Sequence, residues 1–335
     1  MGKSVNSAFK EFMKNEVNLD LELHTKPARK DRDNLRDRIR ALQNSVDGFP
    51  ILASDYDVDF GSFARRTKKR PLDDVDMFFC LHGDGCTYDS YGGAGAIIHV
   101  HNESSRLNAF SNDDGTLNSI RVLNKFKKSV ESVYQYRGSE LNRRRETVIL
   151  NLNNKEWSFD VVPCFITTVV DGSNFYLIPD GYGNWKKTDP RVDQERVTAA
   201  NQRNDGNLLS LIRLVKYWNK RPTMPSMGSY LLENMVINCF GGYGVLNRYM
   251  DVHFSDALWY VRNNIFSYVA DPKGFYGDLN DLSDEDKAKI YIRAEADAMK
   301  AHEARLLEDN SPSGTHKECI NKWKEVFGPA FPSYE

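Results

Sequence analysis

Apolar residues follow a helical spacing over residues 29–46. The positions that share one side at three- and four-residue intervals are Leu35, Ile39, Leu42 and Val46. Such spacing is typical of an amphipathic helix with one buried face. We therefore expect a helix here that braces a neighbouring sheet.

Residues 73–81 show a different pattern, in which bulky apolar side chains stand among polar ones. A run of this kind predicts a strand in the core. After it, residues 82–118 are rich in Gly, Ser, Asn and Asp, which predicts loops around one short strand at 96–100. The elements predicted next are a helix at 119–134 and strands at 147–152 and 157–163.

Helical patterns dominate beyond about residue 189. They cover residues 193–204, 207–219, 229–240, 256–269, 283–307 and 315–327. Strands in the first part and helices in the second predict an α+β protein of two lobes. We place a mixed-sheet lobe with its bracing helix at residues 1–190 and a helical lobe at 191–335.

Composition narrows the class of protein. The 335 residues exceed the usual size of one hydrophobic core, and 40% hydrophobic with 27% charged residues is typical of soluble globular proteins. No apolar run is long enough to cross a bilayer, and the N-terminus lacks a signal-peptide core, so we expect a cytoplasmic protein with no membrane partner. The formal charge of -2 argues against strong duplex nucleic-acid binding. The five scattered cysteines are expected to be reduced thiols.

The segment FGSFARRT at residues 60–67 is suited to binding phosphate. Gly61 allows the backbone to come close to an anion, and the Ser62 hydroxyl and neighbouring amides can donate hydrogen bonds to phosphate oxygens. A Gly-Ser pair alone is common by chance. It gains meaning only from the acidic residues that follow it.

Asp74 and Asp76 lie two residues apart on the predicted strand, which places both carboxylates on one face, whereas Asp73 points away. An Asp-x-Asp pair alone is more often a surface turn or a strand end. A third carboxylate, Asp160, lies in an apolar strand where an unpaired charge would be costly to bury. The ordered set of Gly-Ser, Asp-x-Asp and a later isolated aspartate therefore favours a shared metal site.

Hard oxygen donors of this kind suit Mg²⁺ shared with substrate phosphates. We expect Asp74, Asp76 and Asp160 to be both the metal ligands and the catalytic residues. They would hold two ions about 3.5–4 Å apart, for which Mn²⁺ could substitute. Asp160 would also orient or deprotonate an attacking hydroxyl.

The strings GSFARRTKKRPLDDVDMFF, WSFDVVPCF and HKECINKWKEVFGPAFP resemble the bacterial cGAS/DncV-like nucleotidyltransferases of anti-phage CBASS defence, within the polymerase-beta superfamily. The resemblance spans roughly residues 29–332 and is thinnest at 82–118. It implies a two-lobed polymerase-beta-like fold whose helical lobe completes the nucleotide pocket. It also implies an enzyme that joins nucleoside triphosphates into a cyclic di- or trinucleotide and releases pyrophosphate, and we expect purine substrates such as ATP and GTP. A separate effector would read the product, and a regulatory partner could act on the C-terminus.

The resemblance assigns further nucleotide-binding residues. Lys216 matches a lysine that meets the donor triphosphate, Ser229 a second phosphate contact and Tyr230 a base-stacking platform. The alternatives are a solvated helix face for Lys216, a helix N-cap for Ser229 and an ordinary core residue for Tyr230. Arg65 could neutralise phosphate. The family more often has glycine near Arg66.

Two other functions are compatible with parts of this sequence pattern. A template-independent transferase that adds nucleotides to RNA, a protein or a small molecule would use the same three carboxylates. A non-catalytic nucleotide sensor would keep the fold, although an intact set of three carboxylates argues against it. Formation of a phosphatase-resistant product separates a cyclic synthase from both.

Overall fold

The structure is a computed structural model that describes residues 2–222, 225, 227–241, 245–309 and 316–335. Its helices are α1 (Val5–Phe12), α2 (Lys26–Ser45), α3 (Gly61–Ala64), α4 (Ser119–Glu131), α5 (Pro190–Arg203), α6 (Leu208–Asn219), α7 (Ser229–Phe240), α8 (Met250–Asn264), α9 (Asp284–Asp309) and α10 (His316–Phe327). Its strands are β1 (Val58–Phe60), β2 (Asp74–Cys80), β3 (Thr87–Tyr91), β4 (Gly95–His99), β5 (Glu140–Arg144), β6 (Thr147–Asn151), β7 (Ser158–Ile166), β8 (Tyr176–Pro179) and β9 (Trp185–Thr188).

The strands of the described residues form one mixed sheet in the order β1-β2-β7-β8-β9-β4-β3. The hairpin of β5 and β6 adds to the first half of β7. The central pair, β2 and β7, is parallel, whereas β1 runs antiparallel to β2. The mixed-sheet lobe and the helical lobe predicted from the sequence are therefore confirmed.

Helix α2 braces the sheet, as the apolar spacing predicts. Its buried residues lie in the same core as the sheet and are Ala28, Leu35, Ile39 and Leu42. Ion pairs fasten its other side to the segment around β1: Arg32 lies 2.7 Å from Asp59 and Arg40 lies 2.7 Å from Asp57. The helix and the edge of the sheet therefore form one unit beside the phosphate-binding segment.

The first helix packs in the other lobe. Apolar residues of the segment 5–17 belong to the core formed by α6 to α10. Phe9 meets Trp323 with ring centroids 4.9 Å apart, and Phe12 meets Tyr217 at 5.0 Å. The sequence-based division assigned this segment to the sheet lobe. The chain thus starts in the helical core, crosses to α2 through residues 18–25, and returns between β9 and α5.

Residues 82–118 contain a hairpin, β3 and β4, where the sequence predicted only one strand. The missed strand, β3, is exposed, so it lacks the apolar pattern by which a strand is recognised. Gly92 and Gly93 form its turn with positive φ angles. The predicted start of the last helix at Thr315 lies outside the described residues. Within the described ranges, no helix combines the length and the apolar character needed to span a membrane.

Candidate active site

The parallel pairing of β2 and β7 brings the three predicted carboxylates to one face of the sheet. Asp76 lies directly opposite Asp160, and Asp74 lies two residues before Asp76 on the same strand. Side chains two apart on a strand share a face, and paired strands lie about 4.8 Å apart. Asp74, Asp76 and Asp160 therefore converge on the same side.

Burial and mutual repulsion make two of these carboxylates hard to ionise. Burial first, and then repulsion from Asp74 and Asp160, raises the pKa of Asp76 to about 8. Burial, followed by repulsion from Asp74, raises the pKa of Asp160 to about 6. A site that concentrates negative charge in this way is suited to binding a cation.

A lysine partly supplies that charge. Lys68 Nζ lies 2.7 Å from Asp74 Oδ1 and also pairs with Asp73. In the part of the chain that the structure describes, no group of three or more His, Cys, Asp or Glu side chains is arranged so that it could hold a metal ion, and this includes the three aspartates together. The donor set still fits Mg²⁺, because this ion is usually held by one or two carboxylates, with substrate phosphates and water completing its coordination.

Gly61 and Ser62 lie next to the carboxylates. Gly61 has φ 73°, and a Cβ atom there would lie 1.8 Å from Asp76 Oδ2, so only glycine fits at this position. Ser62 follows in the short helix α3, and its hydroxyl makes no hydrogen bond to the residues described. The segment places backbone amides and a free hydroxyl beside Asp76.

Lys216 is buried between the lobes. Its ammonium lies 2.6 Å from Glu233 Oε2 and 3.3 Å from both the carbonyl oxygen and the hydroxyl of Thr67. Arg65 Nε donates to Glu233 Oε1 over 2.7 Å. The solvated helix face considered for Lys216 is therefore wrong, and both predicted phosphate ligands, Arg65 and Lys216, share one carboxylate in this structure.

The Glu233 cluster, meaning Glu233 with Arg65, Thr67 and Lys216, is strongly polarised. Burial alone would raise the pKa of Glu233, but the charges of Lys216 and Arg65 outweigh it and hold the pKa at about 2. Burial also lowers the pKa of Lys216. These ion pairs join α3 and its following loop to α6 and α7.

Ser229 is exposed and opens α7, whose N-cap is Gly228 and not Ser229. The N-cap alternative for Ser229 is therefore wrong, and its hydroxyl lies at a helix N-terminus, where anions bind favourably. Tyr230 is half-buried, and its hydroxyl lies 2.6 Å from Asp193 Oδ1. Lys273 Nζ lies 4.2 Å from the centre of the Tyr230 ring.

Sequence reasoning missed Lys68 and Glu233. A signal for Glu233 existed, because it is the sole charged residue in the apolar stretch SYLLENMVINCF, where a carboxylate needs a buried partner. Lys68 carried no such signal, since it stands among other basic residues of the segment ARRTKKR.

Comparisons with known proteins bear on this site. Residues 105–201 match the family described as the Second Messenger Oligonucleotide or Dinucleotide Synthetase domain. A probable cyclic nucleotide synthase of Bacillus cereus (strain VD146) is 43% identical over 337 residues, covering 100% of both chains.

Two solved structures share the fold. CdnC of Escherichia coli MS115-1, solved with ATP, has a TM-score of 0.67 at 14% identity and covers 98% of this chain and 99% of its own. DncV of Vibrio cholerae, a cyclic AMP-GMP synthase, has a TM-score of 0.66 at 12% identity and covers 100% and 98%. The chain is thus 43% identical over its full length to a probable cyclic nucleotide synthase, and it carries the matching family domain. It therefore belongs to the bacterial cGAS/DncV-like nucleotidyltransferases, which are cyclic nucleotide synthases.

Proposed function

We propose that this synthase joins purine nucleoside triphosphates, ATP and GTP, into a cyclic di- or trinucleotide and releases pyrophosphate. The observation that carries the proposal is the register of β2 and β7, which aligns Asp76 with Asp160 and keeps Asp74 on the same face. Gly61 lies against Asp76 and adds the phosphate-binding segment to this face.

Asp74, Asp76 and Asp160 would hold two Mg²⁺ ions, which when bound supply positive charge to the triphosphate and acidify the attacking ribose hydroxyl. Enzymes of this family generally use divalent metal ions. Asp160 would also orient the hydroxyl and accept its proton.

Backbone and side-chain donors hold the donor triphosphate. The amides and hydroxyl of Gly61 and Ser62 bind phosphate from the sheet lobe, and the exposed Ser229 hydroxyl binds it from the helical lobe. Arg65 and Lys216 contribute positive charge from the cleft between the lobes. Lys216 reaches phosphate by exchanging its contact with Glu233, and Tyr230 stacks on a base beside it.

The same displacement serves every bond, including ring closure. A ribose hydroxyl attacks the α-phosphate of the donor, pyrophosphate leaves, and the linear product then turns so that its own free hydroxyl meets its 5′ triphosphate. The product acts in anti-phage signalling through a separate effector protein. We also expect a regulatory partner that acts on the C-terminus, and Escherichia coli CdnC, which shares the fold, has been solved in a complex with a HORMA protein.

Labelled nucleoside triphosphates, Mg²⁺ and phosphatase test this proposal. A cyclic product survives phosphatase and is identified by mass spectrometry, whereas linear products lose their terminal phosphates. Asp74→Asn and Asp76→Asn should each reduce turnover at least about 1,000-fold, while Asp73→Asn, which alters the neighbouring carboxylate on the other side of the strand, keeps most of it. Incorporation that depends on an added acceptor, with no resistant product, would refute cyclisation.

A further inference from the structure

A second cavity lies beside the phosphate-binding segment. It has a volume of about 480 Å³ and is bounded by the crossing segment at residues 18–25, the start of α2, α3 and α6. Its lining residues are Asn18, Leu19, Leu21, Thr25, Arg29, Phe63, Arg66, Lys68 and Arg213. Four of these described residues are cations and none is a carboxylate, in a protein whose formal charge is -2.

This cavity adjoins the catalytic face through Lys68 but does not open onto the three carboxylates. Phe63, which lines it, packs in the same core as Val75 and Met77, whose side chains alternate with those of Asp74 and Asp76 along β2. None of the three catalytic carboxylates lines it. A ligand in this cavity would therefore lie behind the phosphate-binding segment.

Arg213 carries a half-buried charge whose hydrogen-bond partners are all neutral. Its guanidinium donates to Asn18 Oδ1 over 2.7 Å, to the Arg66 carbonyl oxygen over 2.6 Å and to Ser210 Oγ over 3.2 Å. Burial lowers its pKa to about 10. A half-buried guanidinium without a counter-ion is costly, and an anion in the cavity would supply one.

Arg66 is held in a conformation that favours glycine. Its φ is 60°, in the left-handed region that costs a side chain about 1 kcal/mol. Its side chain is exposed and, like that of Arg29, forms no hydrogen bond or ion pair with the described residues. Both arginines also line a neighbouring cavity of about 820 Å³. Arg66 therefore accepts this strain and presents its exposed guanidinium to the cavity.

We infer that this cavity is a binding site for a phosphate-bearing anion, held by Arg29, Arg66 and Arg213. Planar guanidinium groups match phosphate oxygens in pairs, and several of them around one cavity favour a multiply charged group such as a polyphosphate chain. Lys68 is shared between the two sites, because its side chain lines the cavity while its ammonium contacts Asp74. An anion here therefore competes with a catalytic carboxylate for Lys68.

Titration calorimetry with inorganic tripolyphosphate, in EDTA, tests the site on the full-length protein. Arg66→Gly should weaken binding about tenfold, because it removes a charged hydrogen-bond donor and keeps a backbone that glycine prefers. Arg29→Ala should act in the same direction. The matched control is Arg145→Gly, because Arg145 is also an exposed arginine with a positive φ, 48°, and lies in the β5–β6 turn. The Arg145→Gly variant should bind tripolyphosphate as tightly as the wild type does.

The catalytic phosphate contacts are removed separately by the double variant Ser62→Ala with Ser229→Ala. This variant should keep its affinity for tripolyphosphate at the second cavity. Equal binding by the Arg66→Gly and Arg145→Gly variants, or loss of binding in the double serine variant alone, would overturn the inference. The measurement uses no nucleotide turnover, so failure of the cyclase assay leaves its result unchanged.

Discussion

Replacing Glu233 with glutamine tests how the two lobes are held together. Glu233 is 1% exposed, and its two carboxylate oxygens pair with Arg65 at 2.7 Å and Lys216 at 2.6 Å. Glutamine keeps the size of the side chain and removes its charge. Two buried cations then lose their shared counter-ion, and such a loss costs about 3–5 kcal/mol.

The pKa of Glu233 gives an independent magnitude. A carboxyl whose pKa is about 2 instead of the ordinary 4.5 contributes about 3 kcal/mol to the free energy of unfolding at neutral pH. Because this pKa is lowered by folding, the contribution is present above about pH 4.5 and disappears as the pH falls from 4.5 to 2. The Glu233→Gln variant should therefore be about 3 kcal/mol less stable at pH 7 and nearly as stable as the wild type near pH 2.

Urea unfolding at pH 7 measures this difference from the midpoint at constant m. The control is Glu295→Gln, which removes the partner of Arg262 in a pair that is 28% and 37% exposed and should cost less than about 1 kcal/mol. If both variants lose the same stability, or if Glu233→Gln loses less than about 1 kcal/mol, the Glu233 cluster does not stabilise the junction of the lobes.

Three other substitutions have defined outcomes. Asp76→Asn should raise the free energy of unfolding in EDTA at pH 8 by more than about 1 kcal/mol. Folding raises the pKa of the wild-type carboxyl from 3.8 to about 8, so the folded wild-type protein loses stability as the pH rises through this range, whereas asparagine does not ionise. A less stable variant would contradict this. Gly61→Ala should abolish turnover, because the added methyl group clashes with Asp76. The control is Gly206→Ala, which should lower the free energy of unfolding by about 1 kcal/mol and leave turnover unchanged, since Gly206 has φ 80° but open space around it. Lys68→Met should tighten the binding of Mn²⁺ in the absence of nucleotide about two- to fivefold, because it removes the ammonium from Asp74. The control is Lys69→Met, which should change Mn²⁺ affinity less, since the Lys69 ammonium contacts the Arg70 carbonyl oxygen. Equal effects of the two variants would refute the idea that Lys68 and the metal ion compete for Asp74.

Patterns in the sequence were sufficient to predict features that lie within a single strand or helix. Alternation on one strand placed Asp74 and Asp76 on a common face, and helical spacing located α2 and α7 to within a few residues. The helix α1 also had a readable pattern, with Val5, Ala8, Phe9 and Phe12 on one side, yet nothing in that pattern shows which lobe it joins.

Pairings between distant elements could not be predicted in this way. The alignment of Asp160 with Asp76 depends on the register of two strands that are separated by β3 to β6 along the chain. The burial of Lys216 likewise depends on a partner, Glu233, in another helix. Family resemblance indicated that these residues share a site, whereas the contact of Lys68 with Asp74 required the folded structure.

The backbone passes between the lobes twice, once before α2 and again between β9 and α5. Two crossings restrict the relative movement of two bodies more than one crossing does. The ion pairs of Glu233 and the hydrogen bond from Arg213 to the Arg66 carbonyl oxygen add further links between the lobes. A pair of fluorescent labels, one on each lobe, should therefore report a single narrow distance.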